Sequence, residues 1–471
     1  MKHVPWLPWL AAALAVAIGL ARWLRVRRYR RWFRIPVRRD DSLPCRGNHR
    51  TLSLSADRDG FAMPAGVVAR GQTAFLALQV STTPLGGYVD PFIEVGRGRR
   101  RYRQYFERGA TGQRHLNLSP LFQNAIGAGF DRIHLRGGAI RWKREASLIV
   151  FDPPPVGNAT ILVLAPHPDD AEIATFGLYA GRPSWVATIT AGERGMADLS
   201  AVAPGPSDAA RWKALVRVWD SLTIPQLGDV PPDRCLNLVY PDGQLQALFL
   251  RAPPRAMLAC EKSLSRAALR RHNQQSEFQS GDPACTWEGL VEELRRLLEV
   301  AKPDIVVCPH PIVDAHHDHV FTTVALEQAI RQTPLKRPLF FLYVVHRRDV
   351  PLHPLGPNTS WVSFPPWTDV EWLADSIYSH PLAPKLQAAK YFAVEGMHDL
   401  RTFSADEPRG LAQVLRVVIR ELLAWGAGTG LPATSYLRRA PRPNEIYGVV
   451  SADSLSELVQ RALERSPADR N

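Results

Sequence analysis

Ala159 to Asp170 reads ATILVLAPHPDD. Its apolar run, Ile161 to Ala165, has the pattern of a strand buried on both faces. Pro166 ends the run, and His167, Pro168, Asp169 and Asp170 follow, before a helix-like segment from Ala171 to Ala180. An imidazole and two carboxylates therefore stand at the C-terminal end of a parallel-type strand, facing a helix N-terminus. Open α/β sheets bind their ligands at that place. The two prolines restrict the backbone that carries these side chains. Taken alone, the stretch also reads as a polar loop with Asp169 or Asp170 capping the helix. A matching cluster downstream favours the site over the cap.

Outward from this stretch, strands and helices alternate. Trp185 to Thr190 reads as a buried strand, and Asp208 to Leu222 as a helix with apolar residues at Trp212, Leu215, Val216 and Trp219. Trp287 to Val300 reads as an amphipathic helix, Asp304 to Cys308 as a strand, His319 to Arg331 as a helix and Leu339 to Val345 as a strand. This alternation predicts an α/β fold, a doubly wound Rossmann-like parallel sheet with helices on both faces, over residues 156–465. Ala252 to Ala284 is polar and irregular and reads as a mobile insertion; residues 350–375, rich in Pro and Trp, read as a loop.

The strand from Asp304 ends in Pro309-His310-Pro311, and His316-His317-Asp318-His319 begins six residues after His310. In a doubly wound sheet the first strand and the strand across the switch point are neighbours, so the two polar clusters face one crevice. Two imidazoles and a carboxylate with an open position form a catalytic zinc pattern. The same set is the facial triad of non-haem Fe2+. His310, His346, His353, His380 and His398 are single and read as surface or packing residues, with His310 the leading exception. Lys385 and Lys390 read as substrate contacts or solvated charges on a helix.

Upstream, the chain changes character twice. Residues 1–40 hold ten Lys or Arg and one Asp, so most of the net charge of +13 sits there. A basic tail of this kind, on a body that is only mildly basic, argues against a nucleic-acid partner. Trp6 to Leu24 is one apolar segment just long enough to span a hydrocarbon core of about 30 Å. Eight arginines follow it between Arg25 and Arg39. The positive-inside rule then predicts a single-pass membrane anchor with the rest of the chain on the cytoplasmic side. Residues 41–155 carry short alternating runs punctuated by Gly, Pro and Asp, the pattern of a small β-sandwich. Within them the basic run from Gly96 to Arg108 reads as a solvated edge strand or as a contact for anionic lipid or a phosphorylated substrate. Asp152-Pro153-Pro154-Pro155 marks a stiff boundary. Five cysteines at irregular spacing form neither a C-x-x-C pair nor a disulfide framework.

Four motifs occur in order: His167-Pro168-Asp169-Asp170, Thr190-Ala191-Gly192-Glu193-Arg194-Gly195, Tyr240-Pro241-Asp242-Gly243 and His316-His317-Asp318-His319. Together they resemble the PIG-L/LmbE family of metal-dependent de-N-acetylases, over roughly residues 158–450. The resemblance implies a Rossmann-like sheet carrying Zn2+ on His167, Asp170 and His319. It implies Asp169 as general base, His316 as the group that polarises the carbonyl or protonates the leaving amine, and Asp318 as the residue that tunes His316. Asp242 and Arg194 would contact sugar hydroxyls. His317 stands where the family often has proline and offers a rival ligand. The activity implied is removal of an acetyl group from an N-acetylglucosamine-containing glycan, glycolipid or glycoside. The anchor, by confining the chain to that surface, makes a lipid-linked or membrane-proximal amino-sugar glycan a sensible substrate. Two alternatives use the same residues: an amidase or other hydrolase on a sugar conjugate, and a non-catalytic glycan-binding protein.

Overall fold

The computed structural model describes residues 33–465, apart from 48, 65, 124–130, 195–204, 252–265, 281–284, 335–337, 348, 370 and 401–434, together with Val16, Gly19 and Leu20. The expected anchor, Trp6 to Leu24, lies outside the described residues but for those three, and the C-terminal tail from Ser466 lies outside them entirely. Among the described residues no helix is long and apolar enough to cross a membrane.

Eight antiparallel strands come first: β1 Arg50–Ser55, β2 Gly60–Met63, β3 Thr73–Thr82, β4 Phe92–Arg97, β5 Arg100–Tyr105, β6 Thr111–Asn117, β7 Asp131–Gly138 and β8 Ile140–Phe151. They form two four-stranded sheets, β1-β8-β3-β6 and β2-β7-β4-β5. Leu76, Leu78, Leu116 and Leu148 of one sheet share a core with Phe61, Ile93, Val95, Ile133 and Leu135 of the other, which makes a sandwich. The basic run forms the β4–β5 hairpin, with β5 at the sheet edge and Arg101 and Arg103 flanking Glu94 at 3.7 and 2.8 Å.

The strand β3 is apolar on both faces for a reason. Leu76 and Leu78 enter the sandwich core, while Phe75 points the other way and packs with Phe151, Val313, Phe364, Leu373 and Ile377. Asn117 Nδ2 donates to Val362 O at 2.8 Å and to Ser379 Oγ at 2.9 Å, and the Ser379 N–H donates to Thr73 Oγ1 at 2.9 Å. The sandwich is thus packed against the α/β body, beyond the joining proline run.

That body consists of β9 Ile161–Ala165, α1 Asp170–Tyr179, β10 Ser184–Thr190, α2 Pro206–Thr223, β11 Cys235–Tyr240, α3 Trp287–Ala301, β12 Ile305–Pro309, α4 His317–Arg331, β13 Leu339–Tyr343, β14 Ser376–Pro381, α5 Pro384–Gly396, β15 Asn444–Val450 and α6 Ala452–Glu464, with shorter helical turns between them. The sheet order is β11-β10-β9-β12-β13-β15-β14. Pairing from β11 through β13 is parallel, and β9 and β12 are neighbours across the switch point. The expectation of a parallel sheet needs one correction: β15 pairs antiparallel with both β13 and β14. It comes from late in the chain and is inserted between β13 and the edge strand β14.

The buried run of β9 divides between two layers. Leu162 and Leu164 face α3, α4 and α6, whereas Ile161, Val163 and Ala165 face Phe176 of α1 and Ala393 of α5. Two other expectations change. Within the polar segment Leu269, Asn273 and Phe278 are buried, and Arg266 and Arg270 are buried against Glu293 at 3.2 and 2.9 Å, while 252–265 and 281–284 lie outside the described residues. On α2, Trp212 and Trp219 are 54% and 46% exposed, while Lys213, Ala214, Arg217, Val218 and Asp220 are buried. The inner face of that helix is partly charged because it borders the polar crevice.

Candidate metal centre

All five parallel strands deliver polar side chains at their C-terminal ends. His167, Asp169 and Asp170 follow β9; Glu193 and Arg194 follow β10; Asp242 follows β11; Asp314 and His316 follow β12; and His346 follows β13. Asp318 and His319 lie on the first turn of α4. After β9 the chain closes on itself. The Asp169 and Asp170 N–H groups donate to His167 O, and the His167 N–H donates to Asp170 Oδ2 at 2.9 Å. Asp169 stands at the N-cap position of α1, yet its side chain makes no capping bond there. Two glycines permit the close approach of the loops. Gly192 has φ +69°, and a Cβ there would lie 2.7 Å from Pro168 Cδ. Gly243 has φ +71°, and a Cβ would lie 2.5 Å from an Arg194 guanidinium nitrogen.

Three donor atoms form a triangle: His167 Nδ1, Asp170 Oδ2 and His319 Nε2, with edges of 3.2, 3.0 and 3.3 Å. Metal–ligand bonds of about 2.0–2.1 Å in tetrahedral geometry require donor separations of about 3.3 Å. The triangle therefore has the size of one face of such a site. Asp170 Oδ1 is buried and has no hydrogen-bond partner among the described residues. Buried polar atoms are rarely left so, and a bound cation is one explanation. The donor set fits a divalent ion.

Carboxylates back both imidazoles. His167 Nε2 lies 3.2 Å from Asp318 Oδ2 and 3.3 Å from Asp242 Oδ1. His319 Nδ1 lies 3.1 Å from Asp314 Oδ2, at ion-pair distance though off the line of a hydrogen bond. Metal-ligating histidines characteristically present their second nitrogen to such a partner. Burial alone would lower both imidazoles. Asp170, Asp242 and Asp318 outweigh it at His167 and hold that pKa well above 6.5, while Asp170 and Asp314 raise His319 to about 9. Asp170 itself is buried, which would raise it, but the charges of His319 and His167 hold it well below the usual carboxylate range.

Beside the triangle stand two candidate proton carriers. Asp169 Oδ2 accepts from Arg217 Nη2 at 2.8 Å, and Arg217 also donates to Gly192 O and Pro168 O. Burial pushes the Asp169 carboxyl up to about 6 against the pull of Arg217, with Asp170 adding repulsion. His316 Nδ1 accepts the Asp318 N–H at 3.2 Å, so its own proton sits on Nε2. Burial and the neighbouring His319 and His167 lower His316 to about 4, which keeps it neutral. Its ring lies 4.6 Å from that of His167, edge on.

The structure thus gathers His167, Asp169, Asp170, Asp242, His316, Asp318 and His319 in one crevice. Two of these carboxylates also have partners that the sequence does not indicate. The Asp318 carboxylate accepts from the Gly243 and Leu245 N–H groups at 2.6 and 3.1 Å and faces His167; its charge raises the neighbouring His316 against the effect of burial, and its backbone N–H donates to His316 Nδ1. Asp242 turns to His167 and the Arg194 N–H rather than to open space, and Asp242 N–H donates to Glu193 Oε1. Arg194 is exposed at the rim. Two donor groups can hold an ion among the described residues, His167-Asp170-His319-His346 and His167-His316-Asp318, and neither includes His317. His310 is a packing residue: its Nδ1 accepts from Ile312 and Val313, and its Nε2 faces Leu373 O. Sequence reasoning missed Asp314, Arg217, Glu193 and His346. His346 had a signal, since it follows an apolar strand as His167 does. Arg217 had a weaker one, a charge within the stripe Ala214, Val218 and Leu222.

A family model, PIG-L: GlcNAc-PI de-N-acetylase, matches residues 162–330. No curated protein matches the chain. Among solved structures the chain is similar to the N,N'-diacetylchitobiose deacetylase from Pyrococcus horikoshii, at 16% identity over 62% of this chain and 84% of that one, with a TM-score of 0.33. It is similar to the teicoplanin deacetylase Orf2 in a zinc-inhibited form, at 17% identity over 62% and 99%, TM-score 0.31. It is also similar to GalB, the 4-carboxy-2-hydroxymuconate hydratase from Pseudomonas putida, at 12% identity over 62% and 95%, TM-score 0.30. At such scores these likenesses carry no weight for the chemistry. The comparison that bears on the site is therefore the family model, which matches residues 162–330 and so takes in His167, Asp169, Asp170, Asp242, His316, Asp318 and His319.

Proposed function

We propose that this chain is a metal-dependent hydrolase that removes the acetyl group from an N-acetylglucosamine-containing glycan, glycolipid or glycoside. The observation that carries the reading is the donor triangle of His167, Asp170 and His319, sized for a divalent ion and flanked by Asp169 and a neutral His316 within a PIG-L domain. Zn2+ suits the set best, and Fe2+ is the alternative. Bound there, the ion supplies Lewis acidity to an amide carbonyl and to the attacking water.

The chain's own residues supply the rest. Asp169 is held by Arg217 through Oδ2, which leaves Oδ1 to take the proton of the attacking water. Its carboxyl, pushed up to about 6, is matched to taking and returning a proton near neutrality. His316 presents its Nε2–H as a hydrogen-bond donor to the oxygen on which charge develops, and the proton that Asp169 takes from the water passes on to the departing amine. Asp242, Asp314 and Asp318 fix the ring orientations of His167 and His319. The reading extends to location. The apolar segment before the arginine run supports a membrane anchor with the site on the cytoplasmic side and a lipid-linked amino sugar as substrate.

The test is acetate release by the metal-loaded protein from a panel of N-acetylglucosaminyl lipids and glycosides, beside Asp169→Asn. Acetate from at least one substrate, lost in the variant, is the expected result. Bound metal with no acetate from any substrate would overturn the de-N-acetylase reading.

A further inference from the structure

Three side chains close one face of the site, and the fourth corner is the place where a water or a substrate oxygen has to enter. A fourth donor stands beside that corner. His346 offers a ring nitrogen that lies within 4.8 Å of the donor atoms of His167, Asp170 and His319. Against a tetrahedral edge of about 3.3 Å, the gap to be closed is at most about 1.5 Å.

The backbone of His346 is pinned on both sides. Its N–H donates to Asp314 Oδ2 at 3.1 Å, the preceding Val345 N–H donates to the same oxygen at 2.8 Å, and its carbonyl accepts the Ala315 N–H at 2.9 Å. That Asp314 oxygen also faces His319 Nδ1 at 3.1 Å, so one carboxylate positions both histidines. The His346 ring stands 4.7 Å from the His319 ring at 71°, and 5.2 Å from the His316 ring. His346 lies beyond residues 162–330, so the family match does not include it.

We propose that His346 is a fourth, displaceable donor to the cation held by His167, Asp170 and His319. This rests on the metal-centre reading above. Imidazole suits zinc, iron and nickel alike, so the fourth donor does not change the class of ion. It changes the resting state. Four protein donors close a site, whereas catalysis needs one position open. The looser stand-off of His346 reconciles the two: it covers the ion at rest and yields its place to the carbonyl oxygen of a substrate. Retention of the ion and access of substrate are then in competition.

The experiment uses Co2+ as the metal in the full chain, with His346→Ala and His346→Gln. X-ray absorption counts the imidazoles on the ion, and competition with a chelator gives the affinity. Three imidazoles are expected in the wild type and two in each variant, with the dissociation constant raised roughly 10–100-fold, the range seen when partners of a metal site are lost. Visible absorption of bound Co2+ should also change in the variants as water replaces the ring. Two imidazoles in the wild type would overturn the proposal, even if neither variant folds. Unchanged affinity and spectrum in folded variants would overturn it as well. A wild type that takes up no Co2+ would instead overturn the metal-centre reading on which it rests.

Discussion

Helix α1 has a buried polar cluster at each end, and the two are built differently. Toward its C-terminus, Glu445 is closed. Its Oε1 accepts from the Gly177 N–H at 2.7 Å and Lys390 Nζ at 2.6 Å, and its Oε2 accepts from the Leu178 N–H at 2.9 Å and the Tyr447 hydroxyl at 2.8 Å. Four donors meet two oxygens. Toward its N-terminus, Asp170 Oδ1 has no partner among the described residues, two imidazole nitrogens point at one another, and three further carboxylates stand behind them. A closed cluster ties α1 to β15 and α5 and has no capacity left. An open one has an excess of lone pairs converging on a point. Full satisfaction marks the structural cluster, and its lack marks the functional one.

Breaking the open cluster should have the largest effect. His167→Ala or His319→Ala removes one corner of the triangle and is expected to abolish stoichiometric metal, as read by elemental analysis after dialysis. Next comes Asp169→Asn, which leaves the corners intact. Metal should stay, and turnover should fall by ~10²–10⁴, the usual share of general acid–base catalysis. Breaking the closed cluster should act on stability instead. Glu445→Ala leaves Lys390 buried without its partner, and loss of one member of a buried pair costs about 3–5 kcal/mol. Denaturant unfolding should show that loss, with one metal still bound in the folded fraction. The smallest effect belongs to the outer face of α2. Trp219→Ser changes an exposed side chain, and stability should move by no more than about 0.5 kcal/mol in the same assay.

The contrast between the clusters also explains what the sequence could reveal. The site's inner residues are legible because contiguous motifs at strand ends carry them. HPDD follows Ile161–Ala165, HHDH opens the helix after Ile305–Pro309, and the switch-point rule brings the two together. Residues contributed singly are not legible. Arg217 reaches Asp169 from a helix whose inner face is partly charged, so the exposed pair Trp212 and Trp219 looked like the apolar side. Asp314 acts through backbone amides and a ring nitrogen, contacts that no spacing encodes. Lys390 read as a solvated charge or a substrate contact, and it is a buried partner of Glu445, supplied by a strand 55 residues on. The reversed direction of β15 is hidden for a similar reason. The heptapeptide Asn444–Val450, NEIYGVV, carries no cue to strand direction.

The central claim is that the open cluster, and not the closed one, takes the cation. The most direct test is metal stoichiometry of the full chain after zinc loading and dialysis, compared among the wild type, Asp170→Asn and Glu445→Gln. One ion per chain in the wild type and Glu445→Gln, and none in Asp170→Asn, is the result predicted here. Full occupancy in Asp170→Asn, or no ion in the wild type, would contradict it.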